Sequence, residues 1–305
     1  MALYADVDFT IATMSTKRDD DADLRGKVRR ALMTVSRRVD GLFPLHGKQK
    51  RPYFEPYKEQ RAYPVRRIDV NSLNGTFSFG DPLFELTAIT QGALGNQITL
   101  TLGTDVELFP PIKSPSHMLR MLNAGRTWYD ACGTGIYSPP YIYIDGIWGM
   151  HRDYASAWVE ADHLTAAIDA TTPTIPVDDA DGADEFGFIP RFSEGMLLKV
   201  VTDDVEEYME VIGTDTYDQN PTNNLTARRG VNGTTAIPHD NDAPVYVWRI
   251  DDALRRVIAR QAALLYARRG AYTTVESTPA GGEVRYPVDM LVELKAELEE
   301  FAYGN

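Results

Sequence analysis

Apolar residues recur at helical spacing in two long stretches. Between about 22 and 40, Leu24, Val28, Leu32, Val35 and Val39 fall three or four residues apart, on one face of a helix. Asp21 is placed to cap its start, and Gly41 stops it. Between about 252 and 269, Leu254, Ile258, Ala262 and Leu265 repeat the pattern, with Asp251 or Asp252 as cap and Gly270 past the end. A third stripe, Met290, Leu294, Leu298 and Phe301, follows Pro287, a residue suited to a first helical turn. Residues 115–128 are expected to form a short helix with Met118, Leu119 and Leu122 on one side.

Elsewhere the period drops to two. Phe77–Phe79, Phe84–Thr87 and Gln97–Leu102 alternate, with Asn74-Gly75 and Gly80-Asp81-Pro82 as turns between them. Tyr141–Ile144 predicts a strand that ends at Asp145-Gly146. Five further short strands are expected at 174–177, 196–202, 207–212, 225–228 and 245–250, separated by acidic turns, which together describe a small β-barrel. Within it, Arg229-Gly230-Val231-Asn232-Gly233-Thr234-Thr235 forms a turn cassette. Gly230 and Gly233 take positive φ at low cost, Asn232 tolerates it, and threonine hydroxyls can bond the backbone of a tight turn.

The expected fold class is therefore α+β: a helical core of two long helices plus a C-terminal helix, with a β-rich middle region and an inserted small β-barrel. The divisions are an N-terminal arm (1–21), the helical core (22–44 plus 250–270), the β-rich middle (45–163), the barrel (164–249), and a flexible tether with the last helix (271–305). The tether is drawn from Thr278-Pro279-Ala280-Gly281-Gly282 and its flanks.

Composition narrows the chemistry. The 305 residues are 43% hydrophobic, enough to bury a core, and the net charge of −13 argues against wrapping nucleic acid through its phosphates. The single cysteine, Cys132, excludes a disulfide framework. No basic leader followed by an apolar run opens the sequence, and no run of about 18 apolar residues predicts a membrane span.

Each sharper feature has a plainer competitor. Asp178, Asp179, Asp181, Asp184 and Glu185 gather hard oxygen ligands, but the glycine sits too early for a helix–loop–helix calcium site, and a solvated acidic loop competes with a cation site. His46, His117, His151, His163 and His239 lack the spacing of a helical metal motif, and a surface or turn-bonding role is expected for His239. Gly133-Thr134-Gly135 is too short to cradle a phosphate. Tyr137, Tyr141, Tyr143, Trp148, Tyr154 and Trp158 suit either a sugar-binding platform or packing in the core and between subunits. Arg255, Arg256, Arg260, Arg268 and Arg269 suit salt bridges to a neighbouring subunit better than a DNA stripe in so acidic a chain. No catalytic residue, cofactor or metal is expected.

Three segments then line up in order: Leu32–Gly41 followed by Arg51-Pro52-Tyr53-Phe54-Glu55, then Tyr143–Met150, then Asp252–Arg269. In that order they resemble the head–tail connector (adaptor) proteins of long-tailed bacteriophages, and the turn cassette resembles one found in small β-barrel modules of phage structural proteins. The resemblance implies a non-enzymatic virion protein, made in the host cytoplasm and located at the neck. Its copies would form a ring, usually of twelve, under the portal protein and extend the DNA channel. DNA would pass through the lumen without specific binding. The far side would dock the next neck or tail protein, a stopper or tail terminator. Met290, Leu294, Leu298 and Phe301 are the expected portal-docking stripe, with folding back onto their own subunit as the competing arrangement. The rival functions are another neck or tail-completion component and a carbohydrate-binding β module in host recognition.

Overall fold

The structure, a computed structural model, describes residues 3–14, 23–43, 52–93, 96–110, 115–123, 125, 127–128, 141–185, 187, 189–214, 223–267, 273–277, 283–287 and 298. The chain divides into two units. The first comprises residues 1–43, 158–231 and 235–305, and the second residues 44–157 and 232–234.

The first unit starts with α1 (Val7–Thr13) and α2 (Leu24–Leu42). Residues 1–21 were expected to be an arm, but their described part folds into α1. Asp6 caps this helix by accepting from the Phe9 amide at 2.8 Å, and Val7 and Thr10 are fully buried. On α2 the expected stripe is buried at Val28, Leu32, Val35 and Val39 and half-buried at Leu24. The N-cap position is Asp23, which bonds Arg30 instead of the helix amides; Asp21 lies outside the described residues. The sheet of this unit runs β8 (Trp158–His163), β9 (Thr174–Pro176), β10 (Leu197–Thr202), β11 (Val205–Thr214), β12 (Asn224–Arg228) and β13 (Pro244–Trp248), with α3 (Asp252–Ala267) following. Its strands are ordered β8-β13-β10-β11-β12-β9, all antiparallel. Asp203 and Asp204, at φ +50° and +63°, make the two-residue turn between β10 and β11, where both positions must be left-handed to match strand twist. Leu198, Val200, Met209, Val211, Val245 and Val247 lie in its core.

The second unit holds β1 (Tyr57–Pro64), β2 (Val70–Asn71), β3 (Thr76–Ala93), β4 (Asn96–Thr99), β5 (Val106–Phe109), β6 (Ser116–Met121) and β7 (Tyr141–Trp148). The main path of this seven-stranded sheet is β1-β7-β3-β6-β5, with β2 and β4 also paired to β3. Its core collects Phe77, Leu83, Ile89, Leu119, Ile144 and Trp148. In the first unit, β14 (Thr273–Ser277) and β15 (Glu283–Pro287) pair as a two-stranded hairpin.

These elements overturn the expected fold class. The described chain is mostly β, with fifteen strands and three helices. The two long helices do form and pack on each other, yet no helical core organises the molecule; among the described residues, two large apolar clusters are built from the sheets and their loops. The expected barrel is an open six-stranded sheet, whose edge strands meet only through an isolated bridge between Leu164 and Val177.

Four local expectations also change. The short helix expected over 115–128 is replaced at 116–121 by β6, where Leu119 faces Leu108, Met118 faces Phe109, and Arg120 ion-pairs with Glu107 directly opposite it. Gly80-Asp81-Pro82 is not a turn but an irregularity inside the 18-residue β3. Asp145-Gly146 does not end a strand: a Cβ at Gly146 would lie 2.2 Å from the Glu85 carbonyl oxygen, so the glycine lets β7 run close against β3. The expected tether contains the β14–β15 hairpin.

Candidate functional site

The turn cassette is built as its residue types require. Gly230, Asn232 and Gly233 have φ of +60°, +51° and +83°. In the second unit, the Lys58 amide donates to the Asn232 carbonyl at 2.9 Å, and the Asn232 side chain donates to the buried carboxylate of Glu55 at 2.9 Å. A Cβ on Gly233 would sit 1.8 Å from the Lys58 carbonyl oxygen, so bare backbone is needed there. Thr235 is exposed, while Thr234 is half-buried.

Sequence reasoning missed Glu207, the centre of the cassette in the first unit. This carboxylate lies on β11 with no exposed side-chain surface. It accepts from Arg229 Nε at 2.7 Å and Nη2 at 2.8 Å, from the amides of Gly230 at 2.9 Å and Ile237 at 3.0 Å, and it bonds His239 Nε2 at 3.0 Å. Burial alone raises its pKa, but the bonds from His239, Arg229 and the Ile237 amide overcome that and hold it at about 2. Arg229 continues to the carbonyls of Asp169, Thr172 and Ile237, and His239 Nδ1 bonds Thr202 Oγ1 at 2.9 Å. The bonds to Glu207 and Thr202 fasten loops to β11 and β10, and the Arg229 bonds to the three carbonyls tie those loops to one another. His239 is therefore an interior linker and not a surface residue. The only signal in the sequence was an arginine beside the turn and a glutamate within a strand, with nothing to pair them across more than twenty residues.

The remaining candidates are scattered. Arg255 is buried on its own chain: its Nη2 lies 2.5 Å from Asp6 Oδ2, and its guanidinium stacks 4.0 Å from the Phe9 ring centre. Arg256 and Arg260 are exposed on α3, and Arg268 and Arg269 lie outside the described residues. Of the docking stripe, Leu298 is described and is buried within this chain at 1% exposure, as the fold-back arrangement requires; Met290, Leu294 and Phe301 lie outside.

Of the candidate aromatics, Trp148, Tyr154 and Trp158 are used in packing, while Tyr141 is exposed and Tyr143 half-buried. Trp148 is buried under Arg61, Tyr154 stacks on Phe84, and Trp158 packs on Tyr208 and Trp248. In the acidic loop, Arg249 holds Asp184 and Glu185, and Arg191 holds Asp179. Among the described residues, no group of three or more His, Cys, Asp or Glu side chains is arranged to hold a metal ion. Among them, too, no helix is long and apolar enough to cross a membrane. His46, Cys132, Gly133–Gly135 and Tyr137 lie outside the described residues.

Ile68 and Leu73, on either side of β2, are 84% and 97% exposed. No protein-family model matches the chain, and no curated protein aligns with it significantly.

Proposed function

We propose that the chain is a non-enzymatic structural subunit of a tailed-phage neck, a head–tail adaptor. Identical copies close into a ring under the portal through one repeated head-to-tail interface. The ring extends the DNA channel, holds no cofactor, and presents its far face to a stopper or tail terminator. The observation that carries this reading is the pairing of α2 with α3. These are two of the segments on which the resemblance rests, and they meet although thirteen strands lie between them in sequence.

A second reading draws on a specific observation too. The predominance of sheet suits another neck or tail-completion component, a class that is more β-dominated than adaptors. Mixing purified protein with purified portal, and separately with purified tails, then imaging in negative stain, separates the two. An adaptor adds a ring of density beneath the portal. Density on tails alone supports the second reading and overturns the first.

A further inference from the structure

In the first unit, one stripe of α2, Leu3, Glu210 in the middle of β11 and Arg228 at the end of β12 line a pocket of about 170 Å³. Arg29, Arg37 and Arg228 line it, with Ser36, Met33 and Glu210. Arg228 Nη1 lies 3.2 Å from Glu210 Oε2 across the strand pair. Arg29 reaches the Ile212 carbonyl at 3.3 Å and Glu194 at 3.8 Å. Arg37 is exposed and makes no ion pair among the described residues. Three guanidiniums against two carboxylates, Glu210 and Glu194, leave one positive charge in excess, that of Arg37, on a chain whose net charge is −13.

The opposite end of β12 is acidic. Asn223, which precedes this strand, donates to the Asp178 carbonyl at 2.6 Å and accepts from the Ala180 amide at 3.3 Å, fixing the loop that begins at Asp178 there. Within that loop Arg249 and Arg191 neutralise Asp184, Glu185 and Asp179. Asp178 and Asp181 remain exposed and without ion pairs among the described residues. A strand of five residues, spanning about 13 Å from first to last, thus has a carboxylate-rich loop at one end and a guanidinium pocket at the other.

We propose that the pocket receives the Asp178–Asp181 loop of a second copy of this chain, forming the head-to-tail contact of the ring. The inference rests on the proposed ring-forming function. Guanidinium–carboxylate pairing is directional and often bidentate, so it selects register, and the pocket's partial enclosure shields the pair from salt. Because the complementary groups sit at opposite ends of one strand, each copy offers one of each, as a heterologous interface demands.

The test uses two full-length variants, Arg37→Glu and Asp178→Lys/Asp181→Lys, with unchanged thermal unfolding as the folding control. Sedimentation over a concentration series, with and without purified portal, reads self-association. Each variant alone should associate about tenfold more weakly than wild type, since like charges then face each other. An equimolar mixture should recover association, because the reversed pocket accepts the reversed loop and the native pocket the native loop. Inorganic phosphate should weaken wild-type association by filling the pocket. Wild-type-like association of the single variants, or a mixture no better than its components, overturns the pocket–loop contact and leaves the ring reading standing. A wild type that fails to self-associate even on portal overturns both.

Discussion

Gly103 and Gly233 separate two costs of replacing a glycine. Both have positive φ, +74° and +83°, but a Cβ on Gly103 meets open space while one on Gly233 meets the Lys58 carbonyl. Gly103→Ala is expected to cost about 1 kcal/mol, from backbone strain alone. Gly233→Ala adds a clash with backbone that is itself hydrogen-bonded to Asn232, and about 3 kcal/mol or more is expected from chemical denaturation. Equal losses would show that the close approach carries no energy. The Glu207 carboxylate gives a second test at this scale. Its folded pKa of about 2 lies below its ordinary 4.5, so its contribution is present in full above about 4.5 and is lost as pH falls toward 2. Stability measured across that window should fall more steeply in wild type than in Glu207→Gln. At neutral pH the same variant should lose about 3 kcal/mol, because the buried Arg229 is left without its counter-charge. Parallel pH profiles would remove Glu207 from the acid response. The cassette's glycines were legible in the sequence because positive φ is a property of single residues. The Glu207–Arg229–His239 set was not, because it exists only once β12 has paired with β11 and the chain after it has folded back to His239.

At the scale of elements, what could be read depended on how much of the answer was local. The α2 stripe is continuous and long, and the helix formed where expected. Residues 116–121 have apolar side chains that satisfy either period. Tertiary pairing with β5 and β3 decided for strand, through partners distant in sequence. Asp145-Gly146 carries ordinary turn chemistry, yet the glycine is there for close approach of strands, a requirement set by β3 and invisible locally. The N-terminal helix was missed because its stabilisation is not local either. Asp6 caps α1 and ion-pairs with Arg255 of α3, while Arg25 of α2 grips Asp8 with bonds of 2.6 and 3.1 Å. A seven-residue helix is too short to persist without such attachments. Arg255→Ala strands the buried Asp6 carboxylate and removes the stack on Phe9. A loss of about 3 kcal/mol is expected, with faster amide exchange over Val7–Thr13 and unchanged protection in β10 and β11. Uniformly faster exchange in both would mean that Arg255 supports the entire unit and not α1 in particular.

At the scale of the whole molecule, charge and geometry pull in opposite directions. Copies carrying −13 each repel at long range, while the pocket and loop attract at short range. The Debye length at physiological salt is about 8 Å, so added salt weakens the repulsion between whole copies more than it weakens a partly enclosed guanidinium–carboxylate pair. A template that presents many docking sites at once multiplies weak contacts and offsets the remaining repulsion. Free protein at micromolar concentration is therefore expected to sediment mainly as monomer, with rings forming when portal is supplied. In the proposed ring, the same acidity sets the expected channel lining. DNA that must slide without sticking is better served by an acidic or neutral lumen than by a row of arginines. Raising salt from about 50 to 150 mM should accordingly strengthen association of the free protein, by screening repulsion between copies. It should leave assembly on portal nearly unchanged, because the template already holds the copies together. A stable ring at low salt without portal would show that the short-range contacts dominate unaided, and would reverse the expected order of assembly.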